Sequence, residues 1–205
     1  MPFELNYARL FDPLLKNMRH AVCKLSGLKD GQSALDVCCG TGAQVFEFAR
    51  HGFKAAGLDK NPDMLRQAAY YRAKYPDLKP VFIEGDATRL PFPDGAFDAA
   101  SITLALHEND APNQDAMVRE MKRVVKPSGM LVFADFRSPM PPNVVGSFIN
   151  LIELAAGADN RRTYREYQRA GGLASILGRH GLSVLRERGA AAAAVRLLAV
   201  PNASG

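Results

Sequence analysis

One stretch of the chain constrains its fold more than any other: a short apolar segment that ends in an acid and leads into a glycine-rich turn. The stretch reads Leu35-Asp36-Val37-Cys38-Cys39-Gly40-Thr41-Gly42-Ala43-Gln44. Glycine has no Cβ, so the backbone of such a turn can approach a ligand closely, and the neighbouring carboxylate supplies a full negative charge. The pattern predicts a strand, a turn and a helix that together bind a ligand with a positively charged part.

The rest of the chain alternates between strand and helix patterns. Short apolar runs predict strands at residues 33–37, 54–58, 80–84, 97–104 and 130–134. Apolar residues at three- and four-residue spacing, with capping and breaking residues, predict helices at residues 14–28, 43–50, 61–74 and 117–125. This alternation is typical of parallel βαβ units.

The pattern changes after residue 136, where three prolines interrupt the chain. Helices are predicted at residues 144–156 and 164–179, and strands at residues 182–187 and 195–200. Two such strands can finish an open sheet as an antiparallel hairpin. We therefore predict an α/β fold: a doubly wound, mostly parallel, seven-stranded Rossmann-like sheet with a C-terminal antiparallel hairpin.

The composition predicts one domain. With 205 residues, 47% of them hydrophobic, the chain suffices for one sizeable core and is short for two. It contains no run of about 18 apolar residues that would span a bilayer, and Glu4, Asn6 and Arg9 interrupt the segment where a signal peptide would be apolar. We expect a cytoplasmic protein without a membrane span.

The cysteines predict neither a disulfide framework nor a metal site. There are three, Cys23, Cys38 and Cys39, an odd number without metal-ligand spacing, and adjacent cysteines rarely bridge. We expect reduced thiols near the core, no redox role and no bound metal.

The net charge of +5 is concentrated after residue 136, where all nine basic residues are arginines. Such an end can bind phosphate or nucleic acid, but Arg186, Arg188 and Arg196 fall at spaced positions of predicted strands, as is typical of a solvent-facing surface. The chain also has no separate basic and aromatic RNA-binding module. We expect no nucleic-acid partner.

Acids follow three successive predicted strands. Asp36 ends the first, Asp59 the second, and Asp86 follows the third. Ligands of open α/β sheets bind outside the carboxyl ends of the strands, so these acids are expected to share one site. Asp59 lies 17 residues beyond Gly42, near the spacing at which a carboxylate accepts hydrogen bonds from ribose hydroxyls. Asp86 and the N–H of Ala87 suit the edge of an adenine ring.

Two classes of nucleotide fit this arrangement. A dinucleotide fingerprint needs a third glycine for close helix packing, but Gly42 is followed by Ala43, Gln44 and Val45. The charge of Asp36 beside the loop would repel a pyrophosphate and attract an ammonium or sulfonium group. The sequence favours S-adenosylmethionine over NAD.

The chain resembles the class I S-adenosylmethionine-dependent methyltransferases, and within them the ubiquinone/menaquinone-biosynthesis C-methyltransferase branch. The resemblance covers about residues 30–136, in family order and at family spacing. Beside residues 35–44, the matching stretches are Gly57-Leu58-Asp59-Lys60-Asn61-Pro62-Asp63-Met64-Leu65, Glu84-Gly85-Asp86-Ala87 through Leu90-Pro91-Phe92, Phe97-Asp98, and Val125-Lys126-Pro127-Ser128-Gly129-Met130-Leu131.

The resemblance implies a set of cofactor-binding residues. By that likeness the loop glycines pass the methionine part, Asp59 holds the ribose, and Met64 packs on the adenine. Without the family register, a core methionine is the preferred interpretation of Met64, and Tyr7, similar to an N-terminal aromatic lid, is equally a surface tyrosine. The full set is Tyr7, Asp36, Cys38, Gly40, Thr41, Gly42, Asp59, Lys60, Met64, Gly85, Asp86, Ala87, Thr103 and Leu104.

The resemblance also divides the predicted single methyltransferase domain. Residues 1–30 are expected to form an N-terminal helical lid, residues 31–136 the cofactor-binding core, and residues 137–205 the acceptor-side helices and closing strands. We expect the protein to be a monomer or a homodimer.

The acceptor side is less constrained. A carbon acid or phenol must lose a proton, and His107 and Glu108, beyond the fourth strand, are the candidate bases; a water-bonded surface histidine and a capping glutamate are the alternatives. Arg161 and Tyr164 are candidate acceptor contacts, although a solvated helix face is favoured for such residues. Enzymes that methylate the exocyclic amines of nucleic-acid bases carry an Asn/Asp-Pro-Pro-aromatic tetrad after the fourth strand. The corresponding stretch here is Leu106-His107-Glu108-Asn109, so the tetrad is absent.

These observations predict an S-adenosylmethionine-dependent enzyme that methylates a small organic acceptor, quinol- or phenol-like or lipid-like, at carbon or oxygen, releasing S-adenosyl-L-homocysteine. Two alternatives stay open. The chain can be a non-catalytic module that binds S-adenosylmethionine or another nucleotide, or, less favoured, an NAD-dependent oxidoreductase.

Overall fold

The computed structural model describes residues 15–155 and 157–203. Residues 15–26 are helical and are called α1. The elements that follow are β1 (Ser33–Val37), α2 (Ala43–Arg50), β2 (Lys54–Asp59), α3 (Pro62–Lys74), β3 (Val81–Glu84), β4 (Phe97–Thr103), a 3-10 turn (Leu106–Glu108), α4 (Ala111–Val124), β5 (Val125–Phe136), α5 (Val144–Ala155), α6 (Ala158–Ala170), α7 (Gly172–Arg179), β6 (Arg186–Ala190) and β7 (Val195–Pro201).

All seven strands form one sheet in the order β3-β2-β1-β4-β5-β7-β6. The first five run parallel, and β7 lies antiparallel between β5 and β6. The order reverses between β1 and β4, which is where ligands of doubly wound sheets bind. The predicted fold class, including the C-terminal antiparallel hairpin, is confirmed.

The central strands are buried on both faces. Four successive residues of β1 and four of β4 are buried, which requires helices on both sides of the sheet. Burial of each large apolar side chain contributes roughly 1.5–3 kcal/mol to folding. Fully buried large side chains of the sheet and helices include Leu35, Phe48, Leu58, Ile102, Met121, Leu131, Phe133, Ile176 and Leu197.

Local sequence signals set several helix ends. The Asn61 side chain accepts the N–H of Asp63, and Pro62 occupies the first turn of α3. The single helix predicted over residues 164–179 is wrong in its bounds. The chain instead forms α6 and α7, because Gly171 takes a left-handed backbone (φ 98°) that interrupts the helix.

Two strands differ from their predicted bounds by several residues. β5 begins at Val125, directly at the end of α4, rather than at residue 130, and a register irregularity opposite Phe97 accommodates the extra residues. The Asn202 side-chain amide donates to the carbonyls of Lys122, Val125 and Lys126, so the end of α4 is capped from the far end of the chain. β6 begins at Arg186 rather than at residue 182, and its mostly exposed residues give little apolar signal.

Within the described residues, each helix is too short or too polar to cross a bilayer.

Candidate functional site

The glycine-rich loop joins β1 to α2 with a left-handed backbone at three positions: Cys38 (φ 57°), Gly40 (φ 52°) and Gly42 (φ 80°). For a residue with a Cβ, such as Cys38, this conformation costs about 1 kcal/mol or more. A Cβ on Gly42 would overlap the ring of Phe82, whereas no described atom lies within 4 Å of the Cβ position of Gly40. Open space for a ligand therefore lies over Gly40, and Gly42 is required by its backbone and by packing. Thr41 lies between them, half-buried.

Asp59 is held rigidly between this loop and the start of α3. Its Oδ2 accepts the N–H of Gly40 at 2.7 Å, and its Oδ1 accepts the N–H of Asn61 at 2.8 Å. Each carboxylate oxygen retains a further lone pair for an external donor. The half-buried carboxylate is thus oriented to receive two hydroxyl groups of one ligand.

Asp36 is buried, with 3% of its surface exposed, at the end of β1. The hydroxyl of Ser101 on β4 donates to its Oδ1 at 2.6 Å. Burial, opposed by this hydrogen bond and reinforced by the charge of Asp59, raises the pKa of Asp36 to about 7. Asp36 therefore titrates near neutral pH and does not carry the full negative charge expected from the sequence, and a cation placed beside it would favour the ionised form.

Residues after β2 and β3 form a second edge of the site. The Gly85 N–H donates to the Asp59 carbonyl at 3.0 Å, and Ala87 is buried. Asp86 is exposed, and its Oδ1 accepts the N–H of Thr88 at 2.8 Å, which lowers the pKa of the carboxyl. The charge of Lys60 also lowers the pKa of Asp86. An ionised acceptor thus stands where the sequence placed the adenine contact.

Met64 lies two residues into α3, half-buried. Its neighbour Leu65 packs against the hydrophobic core cluster, of which Met64 is not a described member. This placement disfavours the core-methionine interpretation and leaves the thioether available to a ligand.

The end of β4 carries two signs of a binding site. Leu104 has a left-handed backbone (φ 52°) and donates its N–H to the Ala134 carbonyl at 2.7 Å. The hydroxyl oxygen of Thr103 is buried and has no hydrogen-bond partner among the described residues. Strain and an unpaired buried polar atom both occur where a ligand completes the structure.

His107 is buried, with 2% of its surface exposed, and is paired with Asp135 at the carboxyl end of β5. Asp135 Oδ1 lies 2.6 Å from His107 Nδ1, and its Oδ2 accepts the N–H groups of Leu106 and His107. Because the carboxylate is an acceptor, Nδ1 carries a proton and Nε2 is the free nitrogen. The surface-histidine alternative does not agree with this structure.

Two glutamates flank that nitrogen. The Oε1 atoms of Glu108 and Glu153 lie 4.0 and 3.9 Å from His107 Nε2. Burial alone would lower the pKa of His107, but the charges of Asp135 and the two glutamates raise it above its ordinary value of 6.5. Burial, with the charges of Glu108 and Asp135, raises the pKa of Glu153. His107 is therefore a base whose protonated form is stabilised by the neighbouring carboxylates.

Helices α5 and α6 cover this base. Tyr164 on α6 is buried, its ring lies 6.2 Å from the His107 ring, and its hydroxyl donates to Asn150 Oδ1 at 2.6 Å. Burial and the charge of Glu153 raise the pKa of Tyr164 to about 12. Arg161, one turn earlier on α6, has a buried Nε without a partner among the described residues. The structure thus brings Tyr164 to the base, and in the described part of the chain the Arg161 Nε–H has no acceptor.

Tyr7 lies outside the described residues. Cys38 belongs to the strained loop, and burial raises its pKa to about 12, so it is a poor nucleophile. Asp135 and Glu153 were missed by sequence reasoning. Asp135 is one more acid at the end of a parallel strand, the same signal that identified Asp36, Asp59 and Asp86.

A cavity of about 420 Å³ lies at the opposite edge of the sheet, lined by the residues that begin the parallel strands, among them Ser33, Lys54 and Val81. None of the predicted site residues lines it. We place the functional site at the carboxyl ends, where the strained backbone and the paired titratable groups are.

Comparisons with known proteins agree on the family. Residues 34–129 match a family model described as a methyltransferase domain. An uncharacterised methyltransferase of Synechocystis sp. is 30% identical over 165 residues, covering 78% of this chain and 71% of that protein. A demethylmenaquinone methyltransferase of Beutenbergia cavernae is 38% identical over 121 residues, covering 59% of this chain and 48% of that protein. The chain thus spans about half the length of the demethylmenaquinone methyltransferases that it matches.

The fold also matches solved structures. A methyltransferase structure from Aquifex aeolicus superposes with a TM-score of 0.66 at 22% identity, covering 89% of this chain and 88% of the other. At that identity the superposition establishes the fold. Together with the sequence relatives, it shows that the chain belongs to the class I S-adenosylmethionine-dependent methyltransferases.

Proposed function

We propose that the chain transfers the methyl group of S-adenosylmethionine to a small quinol- or phenol-like acceptor, at carbon or oxygen. The observation that carries the proposal is the meeting of two groups of residues at the carboxyl ends of neighbouring strands. Open backbone at Gly40 and the acceptors Asp59 and Asp86 lie at one side, and the buried His107–Asp135 pair lies beyond β4 and β5.

The residues present fit the cofactor. Asp59 would accept the two ribose hydroxyls, and Asp86 with Ala87 would read the adenine edge. Asp36 would face the ammonium end, and the unpaired Thr103 hydroxyl offers a further contact. When bound, S-adenosylmethionine supplies an electrophilic methyl group on a sulfonium.

His107 is proposed to take the acceptor's proton on Nε2 as the acceptor atom attacks the methyl carbon. Asp135 holds the imidazole with Nδ1 protonated and stabilises the imidazolium that forms. In-line displacement depends mainly on positioning and exclusion of water, which the buried setting of His107 supports. Glu108, Arg161 and Tyr164 are proposed to contact the acceptor.

The acceptor class rests on the relatives and on the base. The names of the demethylmenaquinone methyltransferases indicate a quinone-type substrate, and the quinol form of such a ring carries a hydroxyl proton that a histidine can remove. A lipid-like tail on the acceptor is compatible with the exposed apolar side chains of α5, Val144 and Leu151.

We further propose that residues 1–205 act as one domain with residues 1–30 as a lid, 31–136 as the cofactor-binding core and 137–205 on the acceptor side. We also propose that the protein is a monomer or homodimer in the cytoplasm and has no nucleic-acid partner. Support comes from the reduced state of its three cysteines and the absence of a basic, aromatic RNA-binding module in the sequence.

A labelled-methyl assay tests the activity. The purified full chain is incubated with S-adenosylmethionine and a panel of quinols, phenols and lipid-like acceptors. We expect label transfer to a quinol or phenol, and roughly a 10²- to 10⁴-fold loss of turnover in His107→Asn with binding of S-adenosylhomocysteine retained. His180→Asn is the matched control, because His180 also has a largely buried side chain paired with a carboxylate, Asp115, but is not one of the proposed site residues.

Two outcomes contradict the proposal. Binding of S-adenosylhomocysteine without turnover on any acceptor supports the non-catalytic module. Binding of NADH in preference to S-adenosylhomocysteine supports the oxidoreductase.

A further inference from the structure

Three potential metal ligands meet on the outer faces of α1 and α2. His20 lies on α1, Glu47 lies on α2, and His51, one turn after Glu47, caps the C-terminal end of α2. His20 Nδ1 is 3.5 Å from Glu47 Oε1, His51 Nε2 is 3.4 Å from the same oxygen, and the two nitrogens are 3.3 Å apart. The atoms form a nearly equilateral triangle at the end of α2 opposite the glycine-rich loop.

The size of the triangle matches a metal centre. A tetrahedral zinc ion about 2.0–2.1 Å from nitrogen and oxygen ligands holds those ligand atoms roughly 3.3–3.4 Å apart. The measured separations agree with this edge length to within about 0.2 Å. The spacing of the three atoms is therefore that expected of three ligands of one ion.

All three atoms can act as metal ligands, because a neutral imidazole nitrogen and a carboxylate oxygen each have a lone pair to offer. A cation coordinated by the three atoms would replace the hydrogen bond between the two imidazole nitrogens and the contacts of both nitrogens with Glu47 Oε1.

Neighbouring residues orient the ligands. Arg50 Nη1 lies 3.6 Å from Glu47 Oε2, so the guanidinium engages the oxygen that does not face the histidines. The His51 ring stacks on Phe53 with 21° between the ring planes. Outer contacts of this kind fix the orientation of metal ligands.

We propose that His20, Glu47 and His51 bind a borderline divalent cation, zinc in the first place, with a fourth position open to water. Two imidazoles and one carboxylate suit zinc, whereas magnesium and calcium prefer oxygen ligands throughout. The ion joins α1 to α2 and so fixes the helix that precedes the sheet. The cysteine-based prediction of no bound metal did not consider this set, in which His20 and Glu47 are far apart in sequence and lie on different helices.

Zinc titration of the untagged full chain, stripped with a chelator, tests the site. We expect one zinc ion per chain with a Kd of about 1 μM or below by competition with a fluorescent zinc indicator. At free zinc about a hundredfold above Kd, the Tm should rise by roughly 5–10 °C, and magnesium should give no rise.

Variants locate the site. His20→Gln and His51→Gln change partly exposed side chains, so each is expected to fold and to weaken zinc binding at least about tenfold. His180→Gln, at the Asp115 pair, is expected to bind zinc as the unchanged chain does. The proposal is wrong if zinc fails to bind at micromolar concentration, or if the double variant His20→Gln/His51→Gln, folded by circular dichroism, retains the zinc affinity and the Tm rise.

Discussion

Replacement of Asp36 by Asn is predicted to increase stability and to decrease cofactor affinity. The pKa of this buried carboxyl is raised from 3.8 to about 7. The folded state therefore binds the proton more tightly than the unfolded state, and stability falls as pH rises between these two values. About 3 pKa units correspond to about 4 kcal/mol of stability lost by pH 8. Asn carries no charge, and its oxygen still accepts from Ser101, so we expect Asp36→Asn to regain about 2–4 kcal/mol at pH 8.

The same carboxyl should release its proton when a cationic ligand binds. S-adenosylhomocysteine carries an ammonium group that is already charged at pH 6.5, below the raised pKa of Asp36. Calorimetry in buffers of different ionisation enthalpy is expected to show net proton release on ligand binding at this pH. Urea unfolding at pH 5 and pH 8 measures the stability difference.

Two variants separate the causes. Asp36→Asn should abolish the proton release and weaken ligand binding. Asp98→Asn, which introduces the same carboxamide elsewhere in the sheet, should leave the proton release and the ligand affinity unchanged. Ser101→Ala removes the hydrogen bond that lowers the pKa, so the proton release should shift to higher pH. The reasoning is refuted if Asp36→Asn is less stable than the unchanged chain at pH 8, or if its ligand binding still releases the proton.

Three further predictions concern stability and the base. Burial would raise the pKa of Asp98, but hydrogen bonds from Lys126 and Ser33 lower it to about 2. The ionised carboxylate therefore stabilises the fold by about 2 kcal/mol above pH 4, and this stabilisation falls as the pH falls towards 2. Urea unfolding at pH 7 should show that Asp98→Asn has lost it. Tyr167→Phe removes the hydroxyl that donates to a buried carbonyl at 2.8 Å and should cost about 1–3 kcal/mol in the same assay, whereas no loss would mean that the bond contributes nothing. Because the pKa of His107 is raised, methyl transfer should increase with pH through an apparent pKa above 6.5, and a pH profile with its midpoint below 6.5 would contradict the assignment of the base.

The sequence predicts the parallel core well because its signals are local. Residues 33–37 form a strand and residues 43–50 form a helix, as predicted. The apolar run and the glycine turn that indicate them lie within ten residues of each other. The end of α4 is different. Its terminal carbonyls are satisfied by Asn202, more than seventy residues away, and no local pattern indicates that β5 starts at once.

The candidate site shows the same division. Asp59 and Asp86 follow strands with clear ends and were predicted. Asp135 directly follows the strand predicted at residues 130–134 and gives the same signal, but its role depends on the packing that brings His107 to it. Glu153 reaches His107 from a helix after the prolines, and this approach depends on tertiary packing. The burial that brings the pKa of Asp36 to about 7 is likewise a property of the packed sheet.

The most direct test of the account is calorimetry of S-adenosylhomocysteine with the full chain and with Asp59→Ala. Asp59 is already oriented by the N–H groups of Gly40 and Asn61, so its loss should remove a charged acceptor of two hydroxyls and cost about 2–3 kcal/mol, a roughly 30- to 150-fold weaker Kd. The account predicts binding to the unchanged chain, this loss in Asp59→Ala, and no competing affinity for NADH. Equal affinity of the two proteins, or no binding to either, would contradict it.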